Sequence, residues 1–226
     1  MTKFRYLIIF AVSIAAAIPA SAQGVFDLGS LTNTLTINAK PVDTAIKAPL
    51  VSESQLTFTA SPTVRKEAVD GFVAAMSQAS PELGTQLGAA FGGADVFAQI
   101  DAGLEPFGLK TNNIADAYTL YMVNAWMASQ GNRDQNTRAQ ADGTKAMVMA
   151  TFSATPDLLK LDARQKQLFA DSLVLNAMLY DSMLQATAGN AQATQNVQTE
   201  VTAAAKLLGI DLSLFSMTPN GLARKK

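Results

Sequence analysis

Two pairs of acidic residues are spaced so that they could act together in catalysis. Glu67 and Asp70 are three residues apart, and Asp101 and Glu105 are four apart, so each pair shares one face of a helix. Paired carboxylates serve as acid and base in glycoside cleavage. A solvated helix face explains the same spacing, and a single tryptophan offers few platforms on which sugar rings can stack. The pairs therefore favour surface charge over catalysis.

The residue types that the chain lacks exclude several chemistries. It has no histidine and no cysteine, which rules out a Ser-His-Asp triad, thiol catalysis and zinc held by histidine or thiolate. Gly88 and Gly92-Gly93 lack the Lys-Ser/Thr of a phosphate-binding loop and instead mark helix ends. Residues 132–136 lack the glycine and the closing glutamate of a calcium loop. We predict no catalytic residue, no cofactor and no metal site.

One polar side chain stands inside an otherwise apolar segment. Asn124 lies in the middle of residues 114–130, where a carboxamide must find hydrogen-bond partners. The candidate partners across a bundle are Arg138, Gln140 and Gln165. Such a buried network is the favoured interpretation, and two alternatives stay open: Asn124 is exposed, or it belongs to a ligand pocket. The aromatic residues that would complete this pocket are Tyr118, Tyr121 and Trp126, although aromatic residues of this kind are more typical of a core.

These side chains are positioned by a series of helices, each with its own start and stop residues. Ser-Pro pairs and capping residues open the segments, and glycine or proline closes them. Seven helices are predicted, over about 61–79, 80–92, 94–107, 113–131, 134–152, 162–189 and 192–208. Asp162 with Gln165 resembles a capping box at the start of the sixth. The fold class is therefore all-α, a single-domain irregular bundle of about seven helices.

The fourth predicted helix carries the most information. Placing its residues 100° apart puts apolar side chains on one side, on the opposite side and, through Trp126, on a third. The two larger groups are Ile114, Tyr118, Met122 and Ala125, and Ala117, Leu120 and Tyr121. A helix that is apolar nearly all round packs on several sides. We predict that it is the central helix of the bundle.

The ends of the chain lack this helical pattern. Residues 23–59 form an extended, partly disordered arm in our interpretation, followed by the helical domain from 60 to 226. Strand-like alternation occurs at 31–37 and at Leu56-Thr57-Phe58, which favours a leader whose Leu56 and Phe58 pack on the domain. The alternative is a strand donated to the sheet edge of a partner. Residues 211–215 are predicted to form a short turn that folds back, with a solvated basic tail after it.

The first 22 residues have the three-part form of a signal peptide. Lys3 and Arg5 precede a short apolar run, and Ala20-Ser21-Ala22 supplies the small residues before a cleavage that would leave Gln23 first. The mature chain has no stretch long and apolar enough for an integral membrane segment. Its formal charge becomes −3, too weak to imply nucleic-acid binding. We expect a soluble protein of the periplasm or extracellular space.

Several short motifs follow one another along the chain: Leu56-Thr57-Phe58, Ser61-Pro62, Phe107-Gly108-Leu109, residues 112–118, Ala125-Trp126, Gly131, residues 209–212, Met217-Thr218 and Gly221-Leu222. Together they resemble a family of exported bacterial helical proteins that is catalogued only as a domain of unknown function. The resemblance covers about residues 54–222. It implies an exported helical domain, and it implies no activity and no site residues.

Three functions remain after these exclusions. The first is a non-catalytic domain that acts through contacts in the cell envelope, where its partner would be an unidentified envelope protein. The second is a glycan hydrolase of the envelope that uses one or two carboxylates. The third is a carrier of a small apolar ligand, for which the nine methionines would provide an adaptable lining. A cleft with a half-buried Glu or Asp would favour the enzyme, a closed apolar cavity would favour the carrier, and an exposed apolar patch would favour the contact protein.

Overall fold

The computed structural model describes residues 51–92 and 95–225. The predicted signal peptide at 1–22, the alternating segment at 31–37, the first part of the arm and Lys226 lie outside these residues. None of the described helices is both long and apolar enough to cross a membrane.

The described residues form eight α-helices and one two-stranded sheet, so the predicted all-α fold is confirmed. The helices are α1 (Glu53–Leu56), α2 (Pro62–Ala79), α3 (Pro81–Gly92), α4 (Val96–Leu104), α5 (Ile114–Gln130), α6 (Arg138–Ser153), α7 (Ala163–Ala186) and α8 (Ala191–Leu207). Three 3-10 turns lie between them, at Glu105–Phe107, Pro156–Lys160 and Leu212–Leu214. The strands are β1 (Phe215–Thr218) and β2 (Gly221–Arg224).

Helix α5 is the centre of the bundle, as its all-round apolar pattern predicts. Fourteen of its 17 residues are buried, because α6, α7 and α8 all pack against it. Its start is fixed by Asn113, whose side chain accepts hydrogen bonds from the backbone N–H groups of Ala115 and Asp116. At its other end Gly131 takes the left-handed conformation, with φ of 62°. The sequence therefore predicts the central position and both ends of this helix.

The other helix boundaries follow their capping residues. The Asp162–Gln165 capping box is present at the start of α7. The predicted start of the fifth helix at Asp134 is wrong, because Thr137 and Gln140 form a capping box and α6 begins at Arg138. The preceding loop is instead held by Arg133, whose guanidinium donates to the carbonyl of Leu184 at the end of α7.

A β-hairpin after the predicted turn at 211–215 was not anticipated. Strands β1 and β2 pair antiparallel, with Phe215 opposite Arg224 and Thr218 opposite Gly221. The hairpin packs on α6, where the backbone N–H of Leu222 donates to Thr144 Oγ1 at 3.0 Å. Among the described residues no larger sheet forms.

Residues 51–58 pack on the domain. Leu56 and Phe58 are buried, which confirms the predicted packing of these two side chains. The backbone N–H of Phe58 donates to the carbonyl of Asn112 at 3.1 Å, and Thr57 forms a bridge with Asn113. The end of the segment that the sequence assigns to the arm is therefore tied to the start of α5.

Candidate functional site

Of the residues proposed for a polar network or pocket, Tyr118 and Tyr121 lie side by side, with ring centroids 6.3 Å apart, whereas Asn124, Trp126 and Arg138 bond to other groups. Tyr118 and Tyr121 lie in the core, where Tyr118 packs edge-on against Phe152 and Tyr121 contacts Tyr180 with ring centroids 5.9 Å apart. Burial raises the pKa of both phenols above the usual value. Trp126 is only half-buried, and its indole N–H donates to the carbonyl of Phe215 in β1 at 3.1 Å. The aromatic residues therefore stabilise the core and the hairpin.

The predicted network around Asn124 is wrong. Asn124 is half-buried, and its amide donates to the carbonyl of Leu120 one turn earlier in α5, at 3.1 Å. Arg138 is exposed and bonds to Asp142 on its own helix. Gln140 donates to the carbonyl of Thr218 in the hairpin. A carboxamide at the edge of the core can be satisfied by its own helix, so it needs no partner across the bundle.

Three of the four acids in the two pairs make structural contacts. Glu67 pairs with Arg164, and Asp70 pairs with Lys66 at 2.6 Å. Both oxygens of Asp101 accept hydrogen bonds from Thr111, from its backbone N–H at 2.8 Å and its hydroxyl at 3.0 Å. None of these three carboxylates is thus left free to serve as an acid or base. In the part of the chain described, no three acidic residues cluster as metal ligands either.

The candidate site is a groove between α2, α3 and α4, with a volume of about 510 Å³. Its apolar walls are formed by Val69, Val73, Phe91, Val96 and Phe97. No methionine lines it, contrary to the lining expected for a carrier. Helices α2 and α3 approach closely beside it at Gly84, where a Cβ would lie 1.9 Å from Ser77 Oγ. At its rim Lys66 and Asp70 pair with each other.

Arg65 lies at the polar end of the groove. It follows the first turn of α2, which begins at the Ser61 cap and Pro62. Its guanidinium carbon lies 4.0 Å from the centre of the Phe97 ring, a cation–π contact. One nitrogen, Nη2, donates to Thr111 Oγ1 at 3.2 Å and lies 3.6 Å from Asp171 Oδ1. The side chain of Arg65 remains 20% exposed, whereas that of Asp171 is completely buried.

Asp171 is a buried acid in the middle of α7. Its Oδ2 accepts a hydrogen bond from Gln167 at 3.2 Å, while its Oδ1 has no hydrogen-bond donor. Burial raises the pKa of Asp171 to about 6; the charge of Arg65 and the Gln167 bond oppose the rise, and the charge of Asp101 adds to it. Sequence reasoning missed both Arg65 and Asp171. An acid within the apolar run of α7 was the available signal, because a buried charge needs a partner.

The raised pKa of Asp171 has a measurable consequence for stability. Between about pH 4 and 6 the folded state holds a proton on Asp171 that the unfolded state has released. The stability from this group is therefore full below the unfolded pKa and is lost as the pH rises through 6, by at most about 3 kcal/mol. We expect Asp171→Asn to reduce the fall in Tm between about pH 4.5 and about pH 7 in thermal melts.

The matched control for this melt is Asp70→Asn, at an exposed acid paired with Lys66. The Tm of this variant should change with pH as the Tm of the unsubstituted protein does, because solvent screens an exposed pair. An equal fall in Tm with rising pH for Asp171→Asn and the unsubstituted protein would contradict the assignment of Asp171 as a buried acid.

Comparison with known proteins does not assign the chain to a family. No protein-family model, no curated protein and no solved structure matches the chain. The resemblance to an exported family of unknown function stays a prediction. The function of the groove has to be argued from its own residues.

Proposed function

We propose that this chain is an exported, non-catalytic protein that binds a small apolar ligand in the groove between α2, α3 and α4. The observation that supports the proposal is a groove whose walls are mostly apolar. A volume of about 510 Å³ lies within the range of small-molecule sites, which are mostly apolar with a few polar groups. Export is part of the proposal, and its support is the signal-peptide pattern of residues 1–22.

The groove's chemistry favours binding over hydrolysis. Glycoside cleavage needs two carboxyl groups that reach the substrate from opposite sides of a bond. Of the acids near the groove, Asp171 is completely buried, and Asp95 accepts the backbone N–H of Ala98 as the cap of α4. Asp70 forms an ion pair at the rim. These engaged acids support a non-catalytic role.

A role through protein contacts alone has weaker support. The large apolar side chains that the described residues expose are Leu207, at 71%, and Leu214, at 38%. A standard protein interface covers about 800 Å² on each partner and is centred on buried aromatic or arginine anchors. Two leucines supply a small part of such a surface. The groove therefore offers the better-defined site.

The proposal is tested with N-phenyl-1-naphthylamine, an uncharged apolar probe whose fluorescence rises on leaving water. The protein should bind it saturably at a single site. Ala74 is exposed and lines the groove, so Ala74→Phe should fill part of the volume and weaken binding at least about tenfold. Fluorescence titration measures this change.

The control is Gln78→Phe, which adds the same side chain at an exposed position of α2 outside the groove lining. Its affinity for the probe should equal that of the unsubstituted protein. The Tm of both variants should remain close to the Tm of the unsubstituted protein. Equal probe binding by Ala74→Phe and Gln78→Phe, or absence of saturable binding, would contradict the proposal.

A further inference from the structure

Arg65 brings more hydrogen-bond donors to the groove than its neighbours use. A guanidinium has five N–H groups, and the bond of Nη2 to Thr111 uses one of them. Nη1 makes no hydrogen bond to any described residue, whereas the Nε–H is buried and out of reach of a ligand in the groove. Unmet donors of a charged group favour any acceptor that can reach them. The polar end of the groove is therefore suited to a hydrogen-bond acceptor from outside the described residues.

The charge of Arg65, in contrast, is already balanced. The buried carboxylate of Asp171 lies 3.6 Å from Nη2, beyond hydrogen-bond length but close enough for strong attraction. Asp101 adds a second negative charge nearby, held by Thr111. A carboxylate ligand beside Arg65 would therefore face two nearby acids. The polar end has spare donors and no spare positive charge.

The charges at the rim do not alter this balance. Lys66 and Asp70 pair with each other at 2.6 Å. Asp95 directs one oxygen at the backbone N–H of Ala98, at 3.0 Å. Arg65 also lines the groove, but its charge already faces Asp171, so an anionic ligand gains no net attraction. An ammonium ligand has only donors, so it offers no acceptor to the guanidinium of Arg65.

We infer that the groove selects an uncharged ligand that has an apolar body and one hydrogen-bond acceptor, such as a ketone, ester or amide oxygen, and that Arg65 binds this acceptor. The apolar body lies along Val69, Val73 and Phe91. The Phe97 ring under the guanidinium holds Arg65 in place for the contact. The inference rests on the proposed function and adds the chemical class of the ligand.

A series of ten-carbon compounds separates ligand charge from apolar character. 2-Decanone, decanoate and decylammonium are each used to displace bound N-phenyl-1-naphthylamine from the full chain at about pH 7.5, where Asp171 is ionised. The ketone should displace the probe at a concentration at least about tenfold lower than either charged compound. This comparison needs no variant. Stronger displacement by decanoate or decylammonium would overturn the inference.

The role of Arg65 is tested with Arg65→Lys, which keeps the positive charge beside Asp171 but removes the planar group of donors. The affinity for 2-decanone should fall about tenfold, while the affinity for N-phenyl-1-naphthylamine, which has no carbonyl acceptor, should change less than about threefold. Unchanged ketone affinity would overturn the inference and leave the proposed function standing. Failure of the unsubstituted protein to bind the probe would instead overturn the proposed function.

Discussion

Replacing Lys145 with methionine is expected to lower the free energy of unfolding by about 3–5 kcal/mol at neutral pH. Lys145 Nζ lies 2.7 Å from Asp116 Oδ1, and the Asp116 side chain is only 4% exposed. Methionine fills a similar volume but leaves this carboxylate without its cation. The other described contact of the Asp116 carboxylate is a hydrogen bond from the backbone N–H of Lys110, at 3.1 Å, which cannot replace a full charge. Chemical denaturation followed by circular dichroism measures the loss.

The pKa of both partners agrees with this expectation. Burial raises the pKa of Asp116, and its bonds to Lys145 and to the backbone of Lys110 oppose the rise. Burial lowers the pKa of Lys145, but hydrogen bonds and attraction from Asp116 and Glu53 outweigh it and the pKa ends above its usual value. Without Lys145 the pKa of Asp116 should rise further. The variant should then lose stability as the pH rises, because the folded state prefers the protonated acid.

Two controls separate the buried pair from the exposed one. Glu53 also bonds to Lys145, at 2.8 Å, but its side chain is 63% exposed, so Glu53→Gln should cost no more than about 1 kcal/mol. The double variant Lys145→Met with Asp116→Asn should recover part of the loss, since it removes the unpaired charge. Equal effects of Lys145→Met and Glu53→Gln would refute the assigned importance of Asp116.

The helices could be predicted because their boundaries are set by neighbouring residues. The Ser61 cap, the Asp162–Gln165 box and the left-handed Gly108 and Gly131 all act within one turn. The central position of α5 could be predicted as well, because an all-round apolar pattern allows no other placement in a bundle. These features depend on short stretches of sequence.

The polar sites could not be predicted because their partners are distant in the chain. Arg65 meets Asp171, and Glu53 meets Lys145, across helices whose relative rotation no single segment fixes. The contact of Asp116 with Lys145 likewise depends on how α6 packs. The hydrogen-bond network predicted around Asn124 also depended on how the helices pack. Its position in an apolar segment did not reveal that this edge of α5 is half-exposed.

The hairpin was missed although its turn had a local signal. Asn220-Gly221 is a turn-forming pair between two short runs, and Gly221 has φ of 97°. Four-residue strands are too short for alternation to stand out. Their stability comes from α6, where Gln140 and Thr144 bond to the hairpin backbone. A short strand pair of this kind is specified by the surface that it packs on.

That surface depends on Gly143, and Gly143→Ala is expected to lower the free energy of unfolding by about 3 kcal/mol. A Cβ at Gly143 would lie 1.7 Å from the carbonyl oxygen of Asn220. This oxygen belongs to the backbone of the hairpin turn, so it cannot move aside as a flexible side chain would. The gain in helix propensity from alanine is at most about 1 kcal/mol and is too small to offset the clash. Thermal or chemical unfolding gives the net effect.

Trp126 reports whether the hairpin itself is displaced. It is the single tryptophan of the chain, and its indole N–H donates to Phe215 in β1. Gly143→Ala should therefore shift its emission to longer wavelength, because water replaces the strand beside the ring. Gly88→Ala is the control, since Gly88 lies inside α3 and not at a helix end as its sequence indicated, and a Cβ there would make an ordinary 3.6 Å contact with Val73. It should stabilise by up to about 1 kcal/mol without moving the emission. A Gly143→Ala protein with unchanged stability and emission would show that the hairpin does not depend on this close approach to α6.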